Sequence, residues 1–118
     1  MQEDSVMPQE ITQDLHFTDN EKRSIVLSPT TYKHIKRKHP EIKNIVEFIA
    51  DTLSAPFAIV ESKANYENWI YHKEQNRSRT LYRVVVVDIR NAKVKTAFIS
   101  DSVKGGKIRW INDQMMKF

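Results

Sequence analysis

Arg79-Thr-Leu-Tyr-Arg-Val-Val-Val-Val-Asp-Ile89, then Arg90-Asn-Ala92, then Lys93-Val-Lys-Thr-Ala-Phe-Ile-Ser100, reads as two strands joined by a tight turn. Val84 to Val87 leaves both faces apolar, which marks a central strand. In the first strand Leu81, Arg83, Val85, Val87 and Ile89 share one face, with Tyr82, Val84, Val86 and Asp88 on the other. In the second, strict alternation puts Val94, Thr96, Phe98 and Ser100 together, opposite Lys93, Lys95, Ala97 and Ile99.

Upstream, Tyr66 to His72 is an aromatic strand and Lys73 to Ser78 a polar turn; Phe57 to Glu61 is a short strand before them. Downstream, Asp101 to Lys107 is a cationic loop and Ile108-Arg-Trp-Ile111 a last short strand. Towards the start, Ile42, Ile45, Val46, Ile49 and Leu53 follow the helical period, in a helix opened by Pro40-Glu41 and ended by Ser54-Ala-Pro56. Ser28-Pro29 caps an earlier helix that runs to Lys38 with Tyr32 and Ile35 inward. Leu15-His-Phe17 and Ser24 to Leu27 are further short strands. The expected fold is α+β, with two N-terminal helices on a four-stranded antiparallel β-meander. Residues 1–20 are expected to be an acidic, mobile arm and 21–118 a single domain.

Composition narrows the function. There is no cysteine, which removes disulfides, thiol nucleophiles and Cys-based metal sites. The only glycines are Gly105 and Gly106, so no Gly-rich nucleotide loop exists. No apolar run is long enough for a membrane span, and the acidic opening is unlike a secretory signal. A cytoplasmic protein without cofactor is expected. Six acids and no Lys or Arg occupy residues 1–21, leaving 19 bases against 9 acids in residues 22–118, a net +10. A core that basic points to a polyanionic partner.

The chemistry concentrates in Thr31-Tyr-Lys-His-Ile-Lys-Arg-Lys-His-Pro40, with two histidines and four cations on one short helix. Histidine is readily tuned to exchange protons near neutral pH, and cations hold phosphate. RNA cleavage through the ribose 2′-hydroxyl needs those two services and no metal. His34 and Lys38 are four apart and share one side of the helix, with Arg37 beside them. His39 follows, where Pro40 forces the helix to end. The open sheet face, or its end, is where Arg83, Thr96 and Ser100 are expected to meet a ligand, with Tyr82 nearby. Lys104 and Lys107 are in a loop that can close over a phosphate. Aromatics mixed with cations around Tyr66, Trp69, Tyr71 and His72 suit base stacking. A solvated basic helix and an ordinary sheet face account for the same residues without function. No metal site is expected.

His34-Ile-Lys-Arg-Lys-His-Pro-Glu41, the helix ending in Leu53-Ser-Ala-Pro56, Leu81-Tyr-Arg-Val-Val-Val86, and Val94-Lys-Thr-Ala-Phe98 before Lys104-Gly-Gly106 occur in an order that resembles the phage-associated branch of the barnase–EndoU–colicin–RelE nuclease superfamily. The resemblance spans about residues 24–111. It implies a metal-independent ribonuclease, of toxin or phage-effector type, acting on tRNA or mRNA, with a cognate inhibitor as a second partner. It implies His34 as general acid or base, Thr96 at the scissile phosphate, and Arg83 and Lys104 as phosphate ligands. His72 is a candidate second acid from its position, and His39 in His-Pro-Glu takes a structural role at the turn. Phe98 departs from the pattern, which frequently has Tyr there. The alternative is a nucleic-acid-binding or phage-accessory module that does not cut.

Overall fold

A computed structural model describes residues 11–112. Its chain order is β1 (Leu15–Thr18), β2 (Ser24–Leu27), α1 (Pro29–Lys38), α2 (Ile45–Ser54), β3 (Ala58–Glu61), β4 (Asn68–Glu74), β5 (Tyr82–Asp88), β6 (Lys93–Ser100) and β7 (Ile108–Ile111).

Local chemistry sets the element ends. Ser28 Oγ accepts from Thr31 N at 3.1 Å, and Pro29 begins α1 where an amide has no helical partner. α2 starts at Ile45, not at Pro40 as the sequence suggests. The reason is Asn44, whose Oδ1 accepts from Glu47 N at 3.1 Å and supplies the cap. Pro40 ends α1 instead, and Ile42 N turns back to His39 O at 3.1 Å. β5 is shorter than the expected 79–89. Asn76 Oδ1 accepts from the amides of Thr80 and Leu81 and holds that stretch as a loop, and Arg79 takes a positive φ of 59°.

The four-stranded meander is corrected. The sheet has seven strands in the order β1-β2-β6-β5-β4-β3-β7 and is mixed. β2 meets β6 in parallel at Val26 and Lys93, while every other pairing is antiparallel. Two connections account for the difference. The helices lie between β2 and β3, so β2 is free to join the far edge. The β6–β7 link is no hairpin; it crosses to the opposite edge and pairs β7 with β3.

Both helices pack on one face, over Ile59, Tyr71, Val85, Val87, Val94 and Ala97. Ile35, Ile49 and Leu53 are fully buried there, each contributing about 1.5–3 kcal/mol of burial. The β1–β2 hairpin leans over the same side. Its tip reaches β4, where Asp19 Oδ2 accepts from Tyr71 Oη at 2.6 Å and Arg23 lies 4.9 Å from the Trp69 ring. Asn20 N also donates to Leu53 O at 3.0 Å, tying the tip to the end of α2. The acidic segment 1–20 therefore divides. Residues 1–10 are outside the described residues, and Leu15–Thr18 belongs to the sheet.

β6 breaks strict alternation. A bulge opposite Val86 and Val87 pairs Val94 with Val87 and Thr96 with Val86. Val94 thereby joins the helix face, parted from Thr96, Phe98 and Ser100. This corrects the shared face read from the sequence.

Candidate functional site

The sheet face away from the helices carries His72, Tyr82, Val84, Thr96, Phe98 and Ser100, paired in register across β4, β5 and β6. It is not wholly open. The seven residues 101–107 form a strap across it to β7. Lys104 N donates to His72 Nε2 at 2.9 Å, and Gly106 N to Glu61 O at 2.8 Å. Val60, Ile70, His72 and Val84 are buried in consequence. At the β5–β6 end lies an accessible concavity lined by Leu81, Phe98, Ile99, Ser100, Asp101 and Lys104.

The end of α1 meets this region. The ring centroids of His39 and Phe98 are 5.8 Å apart at 34°. Seven residues, almost two turns, separate Tyr32 from His39, so His39 stays on the packed side of the helix. His34, two residues from Tyr32, is turned the other way and is half-buried. Among the described residues the His34 side chain has no hydrogen bond, ion pair or ring contact, whereas His39 Nδ1 is 3.5 Å from Glu41 Oε2. The Glu41 carboxylate thus faces Nδ1 and not Nε2. Arg37 and Lys38 are exposed in the last turn, where cations complement the helix dipole.

The other expected residues separate into two groups. Tyr82 stands edge-on to His72 at 6.4 Å and 6.2 Å from Phe57. Ser100 is committed to the chain reversal, donating to Ser102 O at 2.7 Å and accepting from Ser102 N at 3.1 Å. The Thr96 hydroxyl is buried without a hydrogen-bond partner. Lys104 and Lys107 are exposed on the strap. Arg83 is on the opposite face from Thr96 and Ser100. It donates to Asp51 Oδ2 at 3.2 Å and to Gln75 Oε1 at 2.7 Å, and sits 5.3 Å from the Phe48 ring. Strand parity thus separates Arg83 from Thr96 and Ser100 across the sheet. Phe57, with Arg79 5.9 Å from its ring, extends the aromatic band and was not singled out from sequence. Its only signal was its place directly after Pro56.

His72 is fully buried, and burial pushes its pKa down to about 4. The carbonyls of Ile70 and Ala58 oppose that shift without giving Nδ1 a well-formed hydrogen bond, and Lys104 reinforces it. Nε2 accepts, so the ring is neutral with its proton on Nδ1. It holds no proton at Nε2 to deliver. The depressed value also makes a stability prediction. Between pH 6.5 and about 4 the unfolded chain binds a proton that the native state refuses, so stability is full above 6.5 and falls towards 4. The loss attributable to this residue is on the order of 3 kcal/mol. Urea midpoints from pH 7.5 to 4.5 check this: His72→Gln is expected to flatten the slope, and an unchanged slope would refute the assignment.

No protein-family model, curated protein or solved structure matches this chain. Among the described residues no group of three His, Asp or Glu side chains is placed to hold a metal ion, and no helix is long and apolar enough to cross a membrane.

Proposed function

We propose that the protein is a small metal-independent ribonuclease that cuts RNA by attack of a 2′-hydroxyl on the adjacent phosphate. The supporting observation is Phe98. Its ring meets His39 on one side, and it lines the concavity of Ser100, Asp101 and Lys104. A nucleotide stacked on Phe98 brings its phosphate near an imidazole and the strap lysine, with the cations of the last turn of α1 farther round the helix.

In the proposed reaction a base takes the 2′ proton, the 2′ oxygen bonds to phosphorus, and an acid protonates the departing 5′ oxygen. The products are a 2′,3′-cyclic phosphate and a 5′-hydroxyl. His39 is the oriented proton carrier and His34 the second titratable group of the helix. Arg37, Lys38 and Lys104 offset the charge of the phosphorane. Arg83 has no part in this scheme, and His72 is not its acid. A cytoplasmic tRNA or mRNA and a cognate inhibitor protein are the partners that fit.

One observation favours a second reading, an RNA-binding module that does not cut: among the described residues a single imidazole, His39, has an orienting carboxylate. Incubation with total RNA in EDTA followed by end-group analysis separates the two. Fragments bearing cyclic phosphate support the ribonuclease. Intact RNA retained by folded protein supports the module, and RNA neither cut nor bound defeats both.

A further inference from the structure

We propose that His72 is a positioning residue for RNA binding, fixing the strap so that the Lys104 ammonium stands at the rim of the Phe98–Ser100 concavity. The inference rests on the RNA reading above. Its observations are independent of that reading.

The strap has little slack. From β6 to β7 it passes β5, β4 and β3, four interstrand steps or about 19 Å, and its eight Cα steps reach about 26–29 Å when fully extended. Its path is held at three points. Ser100 and Ser102 bond at its start, and Gly106 N and Lys107 O bond to the Glu61 backbone at its end. The middle hold is Lys104 N on His72 Nε2. Gly105, next along, has a φ of +100°, and a Cβ there would lie 2.7 Å from Glu61 O and 2.8 Å from Val60 Cγ1. The backbone is therefore pressed onto β3 and β4, while Lys104 itself remains exposed beside Phe98 and Ser100.

A histidine suits the middle hold for a specific reason. The Lys104 amide needs an acceptor when it is laid on a buried face. A neutral imidazole provides one from within the apolar surface, and the ring fills the space between Ala58 and Val84 in the register. Nδ1 is left without a partner, a cost a leucine would avoid. The acceptor, and with it the place of Lys104, is what the histidine contributes.

The test uses the full chain and a 12-nucleotide, mixed-sequence RNA with 2′-O-methyl riboses that cannot be cut. His72→Leu is expected to remove hydrogen-exchange protection at the Lys104 amide. It should also lower the slope of log affinity against log salt by about 1, as Lys104→Ala does. The double variant should be no weaker than either single one. His72→Gln, whose amide oxygen can accept, should retain protection and slope. Unchanged protection in His72→Leu, or additive losses in the double variant, would overturn the proposal. If His72→Leu does not fold, Gly105→Ala displaces the strap by another route, and a wild-type salt slope with protection lost would overturn it equally. Failure of wild type to bind the RNA defeats the RNA reading and the positioning role with it, and exchange then shows whether His72 is a strap anchor alone.

Discussion

His39→Ala is expected to slow RNA cleavage in EDTA by roughly 10²–10⁴-fold, the range typical of a lost general acid or base. His39 is the histidine of α1 that meets the sheet, with its ring against Phe98 and Nδ1 facing Glu41. Its removal takes away proton transfer and leaves Arg37, Lys38 and Lys104 in place, so RNA affinity should fall only a few-fold. The paired measurement is single-turnover cleavage and equilibrium binding on the same preparation. His34→Ala gives the comparison. It should be as severe if His34 is the partner in proton transfer, and mild if the second proton comes from water. Equal loss of binding and cleavage in His39→Ala would make His39 a binding or folding residue, and full activity would remove it from the site.

Asp19→Ala is expected to cost about 3–5 kcal/mol of stability, through loss of a buried carboxylate that accepts hydrogen bonds from Glu21, Arg23 and Tyr71. The Asp19 side chain is fully buried yet ionised. Burial alone would raise its pKa. Hydrogen bonds from the Tyr71 hydroxyl, the Arg23 amide and guanidinium, and the Glu21 amide outweigh that and hold it below the usual carboxylate range. Burial and the neighbouring Asp19 charge push the Tyr71 hydroxyl upward, so it remains a donor. Substitution strands that hydroxyl, leaves Glu21 as the carboxylate partner of Arg23 and loosens the hairpin tip from β4. Thermal unfolding should show a fall in Tm on the order of 10–20 °C. Asp19→Asn, which keeps an acceptor, should lose less. A change of under about 1 kcal/mol in Asp19→Ala would mean that the tip is held by Arg23 over Trp69 and by Asn20 on Leu53 instead.

Local signals in the chain were strong where one residue type decides. Ser28-Pro29 and Pro40 bound α1 as read, and the Val84–Val87 run is the centre of β5. Pairing between distant segments left no comparable mark. Val26 and Lys93 meet across 67 residues through one bridge, and no periodicity in a four-residue strand announces its partner. The strap was equally hidden, because a hairpin loop and a crossing of similar length have similar composition. Its one clue is Gly105-Gly106, where Gly105 marks close approach to Glu61 and Val60. Parity placed Tyr82 opposite Arg83 correctly. It failed at Val94, since a bulge adds a residue without any signature in Lys93-Val-Lys95. The link between His39 and Phe98 depends on where α1 ends relative to β6, a tertiary fact outside the reach of either segment alone.

The crossing of the sheet by residues 101–107 also sets an order of assembly. A segment laid across β5, β4 and β3 has nothing to lie on until those strands have paired, and β7 has no place until β3 is an edge. Lys104 and the Phe98 concavity therefore come together only in the last step, after β5, β4 and β3 have paired. On the ribonuclease reading, a chain in which those strands have not yet paired has no cutting groove.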